Sequence, residues 1–172
     1  MTTSVRNLTD EIAPAVVVVL NALRRDMARN KAGLLFHVDA STAISTANAS
    51  TTPTAVALAN AIKASFNTHI ASAVSATTGQ GVHMAADTNT VATADATDEA
   101  SAITLANALK AAYNTHRAST TYHQSADSTN AVSSTNASDT SSLYTLLNEM
   151  KGDINAHYAA AFASQALSLV AP

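Results

Sequence analysis

Histidines are the residues of this sequence that most readily suggest chemistry. The chain of 172 residues contains six of them and no cysteine. Three close a recurring helical motif and three open the polar segments between those motifs; the first set is His69, His116 and His157, and the second is His37, His83 and His123. Imidazole can bind zinc and can change its charge near neutral pH. The two sets therefore raise metal binding and pH response as hypotheses.

A metal site would pair a helix-end histidine with the next connector histidine and add Asp87 or Asp127, which gives ligands that zinc accepts. The spacing argues against this hypothesis. Fourteen residues separate the two histidines in one unit and seven in another, and the last unit has no following connector. We therefore expect structural or pH-responsive histidines, in which helix-end rings satisfy terminal carbonyls and connector rings bind the backbone or a following Asp. The sequence predicts no metal ligand, no cofactor-binding residue and no catalytic residue.

The composition also argues against several functional classes. Charged residues make up 12% of the chain and aromatic residues 4%, and only four glycines are available for phosphate-binding loops. We find no nucleophile elbow or carboxylate dyad, so we expect a protein that is not an enzyme. A net charge of -3 provides no basic surface for nucleic acid. The longest apolar run is short and contains Pro14, so we also expect no membrane partner.

The histidines belong to a repeat that must position them. Residues 58–69 and 105–116 differ at only three positions, residues 146–157 are a third copy, and residues 19–30 are a degenerate first copy. Each copy places large apolar residues at i, i+4 and i+8, which is typical of one helical face. We predict an all-α domain over residues 1–172, a four-helix repeat array or bundle with long extended Ser/Thr-rich connectors. The predicted helices lie at about 14–30, 54–74, 98–119 and 140–163.

The connectors decide how the helices are arranged. Each one ends in a polar stretch of the kind that caps a helix N-terminus. About 16 extended residues span roughly 50 Å, whereas a 20-residue helix spans about 30 Å. A connector can therefore run back along its own helix, which favours parallel helices, while a hidden short helix would give an antiparallel bundle instead.

Asparagine recurs at two positions of the motif, seven residues apart. The first position holds Asn21, Asn60, Asn107 and Asn148, and the second holds Asn67, Asn114 and Asn155. Such a series could be a ladder that fixes the pairing of helices, because a polar residue in a helix seam sets register at some cost in stability. It could also be a solvated face beside the apolar stripe, and we favour this simpler interpretation.

Two apolar segments are candidate interfaces with other chains. One contains Val16, Val17, Val18 and Val19, which cannot all face a single helix seam. The second contains Leu167, Leu169 and Val170 near the C-terminus, where fraying of the end is the alternative explanation.

The Ala/Thr/Ser/Asn-rich composition, the helices of the Leu-Ala-Asn-Ala-Leu-Lys-Ala-Ala-Tyr-Asn-Thr-His type and the His-x-x-x-Asp connectors resemble repeat-containing virion structural proteins of tailed bacteriophages. The resemblance covers about residues 19–160 and transfers no catalytic residue. It implies a capsid decoration or cement protein, or a neck or tail protein, made in the host cytoplasm and located in the virion. The expected partners are other virion proteins and further copies of the chain. An adhesin or receptor-binding module is the alternative. The first copy departs from the pattern, with Asn30 at the helix-end histidine and Ser41 at the connector Asp.

Overall fold

Three helices of 20 residues form the body of the protein. In a computed structural model, which describes residues 16, 18–21, 23, 39, 42–72, 83, 85–123 and 126–160, they are α1 (Thr52–Ala71), α2 (Glu99–Ala118) and α3 (Thr140–Ala159). No strand occurs in these ranges, so the predicted all-α class is confirmed. The helix starts lie within two residues of those predicted, and the ends come one to four residues earlier.

Each helix begins with the same local device. Thr51, Asp98 and Asp139 cap the N-termini, and the side chain three residues later bonds back to the cap residue to complete a capping box. This arrangement satisfies two backbone N–H groups that would otherwise lack partners, and loss of such a cap costs about 1 kcal/mol. The polar stretches before the helices therefore act as the predicted helix starts.

The helices run parallel to one another. Glu99, the first residue of α2, accepts hydrogen bonds from Thr52 Oγ1 at 3.5 Å and from Thr140 Oγ1 at 2.6 Å. Those threonines are the first residues of α1 and α3. All three N-termini therefore meet at one end of the bundle, which confirms the parallel arrangement favoured by the connector lengths.

The predicted apolar stripes form the core. The buried positions follow a 3-4-4-3 spacing along each helix, and the layers, starting from the N-terminal end, are Ala55, Ala102 and Leu143; Leu58, Leu105 and Leu146; Ile62, Leu109 and Met150; Phe66, Tyr113 and Ile154; and His69, His116 and His157. Steps of three and four residues stay close to the 3.6 residues of one helical turn, so each helix keeps this face inward along its length. The helix-end histidines are thus the last layer of the core.

Asparagine side chains hold the connectors against the helices. Asn60 accepts the N–H of Ala96 at 2.7 Å and donates to the carbonyl of the same residue at 3.0 Å. We call this pair of hydrogen bonds, from one asparagine side chain to both backbone groups of one residue, an asparagine fork. Five further forks are formed by Asn67 with Val91, Asn107 with Ala137, Asn114 with Val132, Asn148 with Ala49 and Asn155 with Ile44. The interpretation of these asparagines as a solvated face is therefore wrong.

The pattern of forks closes the bundle into a ring. The connector after α1 lies along α1, and the connector after α2 lies along α2. The segment that precedes α1 lies along α3, about a hundred residues away in sequence. Within the described residues, three copies of one unit therefore close around this core.

The described residues of the degenerate first copy lie outside this core. Val16, Val18, Val19, Leu20 and Leu23 are exposed, and they and Asn21 are helical. Of the other proposed interface residues, Val17, Leu167, Leu169 and Val170 lie outside the described residues. Within the described ranges no helix combines the length and apolar character needed to cross a membrane.

Candidate functional site

Five buried histidines converge at the C-terminal end of the bundle. The rings of His69, His116 and His157 form a triangle with centroid separations of 5.5, 5.5 and 5.7 Å. They lie on the apolar layer that contains Phe66 and Tyr113, whose rings meet them edge-on. Parallel helices of matched length bring these three residues to one level, so the repeat itself creates the triangle.

A carboxylate lies behind each ring of the triangle. The Nδ1 atoms of His69, His116 and His157 lie 3.2, 3.2 and 2.8 Å from carboxylate oxygens; the respective partners are Asp39, Asp87 and Asp127. All three carboxylates are buried. Each pair therefore places an acceptor on the outer nitrogen of the ring and turns the inner nitrogen, Nε2, toward the centre.

The backbone of each Asp binds a helix different from the one its side chain binds. Asp87 donates its N–H to the carbonyl of Ile70 in α1 at 2.8 Å, whereas its carboxylate contacts His116 of α2. Asp127 joins α2 to α3 in the same way, and Asp39 joins α3 to α1. The aspartates thus join neighbouring units.

Asp39 supplies the carboxylate that the sequence pattern failed to locate in the first unit. It donates its N–H to Tyr158 and binds His69 with its carboxylate, as the other two aspartates do in their units. The expectation that Ser41 replaces the connector Asp is therefore wrong, because Asp39 performs that role two positions earlier. Ser41 and Asn30 lie outside the described residues.

The connector histidines form a second level above the triangle. His83 Nδ1 lies 3.0 Å from the carbonyl oxygen of Ser72, and His123 Nδ1 lies 3.1 Å from that of Ser119. The His83 ring sits 4.5 and 4.8 Å from the rings of His69 and His116. The prediction that connector histidines bind the backbone is confirmed for these two, and His37 lies outside the described residues.

His123 occupies the neighbouring edge of the triangle. Its centroid lies 4.7 Å from that of His116 and 5.2 Å from that of His157. It is 5.0 Å from the ring of His83. The two levels are therefore staggered, with each connector ring placed above the gap between two helix-end rings.

The hydrogen-bond acceptors define the tautomer of every ring in the cluster. Carboxylates and carbonyls only accept, so each Nδ1 carries the hydrogen and Nε2 of a neutral ring offers a lone pair. His83 Nε2 lies 3.1 Å from His69 Nε2. The buried Nε2 of His116 has no hydrogen-bond partner. The interior of the cluster is thus lined by basic nitrogen atoms.

Burial keeps these rings neutral. Desolvation lowers the pKa of His69 and of His123 to about 4 each, despite the hydrogen bonds that oppose this shift. The pKa of His116 is also lowered, by desolvation and then by the charge of neighbouring histidines. Burial alone would raise the pKa of Asp127, but hydrogen bonds from His157 and Asn130 outweigh it and lower the pKa. Asp127 is therefore an anion beside neutral imidazoles.

The arrangement provides two overlapping sets of possible metal ligands. One consists of His69, His116 and His157, and the other of His83, His116 and His123; in each set one nitrogen per ring lies within 4.8 Å of the others. The irregular sequence spacing does not prevent convergence, because connectors of different length return to the same level. Asp87 and Asp127 lie behind the rings, so they are not the direct ligands considered from sequence.

The expectation that helix-end histidines satisfy terminal carbonyls is wrong, since C-cap N–H groups bond to the carbonyls of these residues while their rings point inward.

No protein family, curated protein or solved structure matches the chain.

Proposed function

We propose that this protein is a non-enzymatic structural component of a bacteriophage particle. A capsid decoration or cement protein is the leading assignment, ahead of a neck or tail protein. The observation that carries the proposal is the closure of one chain into a ring of three equivalent units. The described parts of the chain repeat a helix, its cap and the connector along its side three times around one axis.

Such a chain is suited to a place on a symmetric particle. Symmetric assemblies arrange identical surfaces around rotation axes. A protein whose own surface repeats three times can contact three equivalent subunits with three similar patches. The capped helix ends at Thr51, Asp98 and Asp139 form one such set and lie together at one end of the bundle.

The use of the recurring polar residues also supports a structural role. Lys63 forms an ion pair with Asp95 at 2.7 Å, and Lys151 donates to the carbonyl of Thr46 at 2.6 Å. Lys110 donates to the carbonyl of Ser134 in the same way. Together with the asparagine forks, these contacts attach each connector to its helix. The repeated residues thus maintain the fold.

The proposal is tested on particles from the phage or prophage whose genome encodes the chain. Purified virions are analysed by quantitative mass spectrometry, and virions from a deletion strain are imaged and tested for adsorption and heat resistance. Copies in fixed proportion to the major capsid protein, with heat-sensitive capsids after deletion, support decoration. A small fixed copy number with defective necks or tails supports the second assignment.

Two other outcomes contradict the structural proposal. Intact, heat-resistant virions that fail only in adsorption would indicate a receptor-binding module instead. Absence of the protein from purified virions would exclude a particle component. Light scattering of the purified protein over a concentration range complements this work, because a closed oligomer favours a ring whereas a monomer requires a partner lattice.

A further inference from the structure

We propose that the histidine cluster binds one divalent first-row transition-metal ion through ring nitrogens of its two overlapping ligand sets, which share His116; one set contains His69, His116 and His157, and the other contains His83, His116 and His123. Imidazole nitrogen suits zinc, iron, cobalt, nickel and copper, whereas magnesium and calcium prefer oxygen. The inference does not rest on the proposed role in a particle.

The first argument is the opposition of two lone pairs. His69 and His83 each use Nδ1–H on an acceptor, so their Nε2 atoms, 3.1 Å apart, both present lone pairs when the rings are neutral. Two acceptors at this distance repel unless a proton or a cation lies between them or beside both. Both residues are fully buried, which disfavours a charged, protonated ring at this point. A metal ion beside both nitrogens accepts both lone pairs.

The second argument is geometric. A metal–imidazole bond is about 2.1 Å long, so neighbouring ligands of an octahedral ion lie about 3.0 Å apart and those of a tetrahedral ion about 3.4 Å apart. The 3.1 Å separation of the His69 and His83 nitrogens fits the octahedral value more closely. The staggered levels of the cluster also correspond to one full face of an octahedron, the triangle, and two corners of the opposite face, at His83 and His123. The geometry therefore favours a six-coordinate ion over tetrahedral zinc.

The third argument is the environment of the rings. Histidines that bind metals usually donate their other N–H to a carboxylate or a carbonyl, which orients the ring and increases its basicity. All five rings have such a partner on Nδ1. The three buried aspartates also place negative charge around the cluster, which a central cation offsets. His116, with its unpartnered Nε2, belongs to both candidate ligand sets.

The test uses the full chain without an affinity tag. The protein is purified, its metal content is measured by mass spectrometry, and the sample is then stripped with EDTA and titrated separately with Co²⁺, Ni²⁺ and Zn²⁺. We expect saturation at one ion per chain, a weak visible spectrum of six-coordinate Co²⁺, and a higher melting temperature with metal. A folded wild-type chain that binds none of these ions stoichiometrically would overturn the proposal.

Two variants separate loss of ligands from loss of fold. His116→Ala removes a shared ligand, and we expect its affinity for Co²⁺ to fall at least 100-fold. Thr104→Ala is the control, because this exposed side chain bonds only to the carbonyl of Ala100, lies about 18 Å from His116 along the same helix, and holds no connector. It should bind one ion with nearly wild-type affinity. Equal affinity of both variants would refute the site.

If His116→Ala does not fold, the double variant His83→Ala/His123→Ala is used, because these residues lie on connectors outside the helical core. Circular dichroism establishes that the double variant is folded. We expect it to lose octahedral Co²⁺ binding while the helices persist. Unchanged stoichiometry and spectrum in the folded double variant would also refute the site.

Discussion

Closure of the ring predicts that the asparagine forks of α3 matter as much as those of α1 and α2. The decisive substitution is Asn148→Ala. Its amide binds both the N–H and the carbonyl of Ala49, at 2.7 and 3.0 Å, and this contact joins α3 to the segment before α1. In an open array the last helix would have no connector of this kind to hold, so the substitution would have little effect.

The cost of Asn148→Ala follows from the two hydrogen bonds it removes. Each contributes about 1 kcal/mol net, and an unsatisfied buried backbone group adds to the loss. Ala49 is only 5% exposed, so water replaces the amide incompletely. We expect a loss of about 2–3 kcal/mol in the free energy of unfolding. For a chain of this size that corresponds to a fall of roughly 4–12 °C in melting temperature.

The assay is thermal and urea unfolding followed by circular dichroism at fixed metal content. Asn60→Ala and Asn107→Ala should show the same loss as Asn148→Ala, because their forks with Ala96 and Ala137 are equivalent. Thr104→Ala serves as the control, since this exposed side chain bonds only within its own helix, to the carbonyl of Ala100, and should change stability by less than about 0.5 kcal/mol. If Asn148→Ala behaves like the control while Asn107→Ala is destabilised, ring closure is refuted.

Three further predictions concern the histidine cluster. Asp87→Asn should lower the affinity for Co²⁺ about 10- to 100-fold, because it weakens the partner that orients His116; competition with a chelating dye measures the change, and an unchanged affinity contradicts the positioning role. Metal at a free concentration 100 times its dissociation constant should stabilise the fold by about 2.7 kcal/mol, which EDTA should reverse in unfolding experiments; identical curves with and without EDTA would contradict it. In EDTA the stability should decrease as pH falls from about 6.5 toward 4, because burial lowers the pKa of His69 from 6.5 to about 4 and the unfolded chain therefore takes up the proton first. The expected slope is about 1.4 kcal/mol per pH unit for each such histidine, and a flat profile of urea midpoints over this range would refute the assignment of neutral buried rings.

Local features of the fold could be predicted from sequence because they depend on nearby residues. The stripe of Leu58, Ile62 and Phe66 has helical spacing within one segment, and all three residues are buried as that spacing requires. Cap residues such as Asp98 likewise act on backbone only three residues away. The parallel arrangement followed from the reach of the connectors, which is a property of chain geometry alone.

Features that join distant parts of the chain could not be predicted in the same way. An asparagine beside an apolar stripe is normally solvated, and its role depends on whether a connector lies against it. The inference that the spacing of His69 and His83 argues against a shared ligand set failed for a related reason. The length of a connector does not determine where in the bundle its residues lie. Asp39 escaped notice because its position in the bundle matches that of Asp87 although its distance from the preceding histidine differs.

The metal site and the closure of the ring are physically linked. Each aspartate binds the backbone of one unit and a histidine of the next, so the triangle is fully oriented only when all three connectors are in place. The contact between Asp39 and Tyr158 completes this circle, because it joins the segment before α1 to the end of α3. An ion held by rings from all three units would therefore stabilise the closed state over any open one. In a chain whose apolar core consists of a few narrow layers, such a polar layer at one end can supply the specificity that additional large apolar residues would otherwise provide.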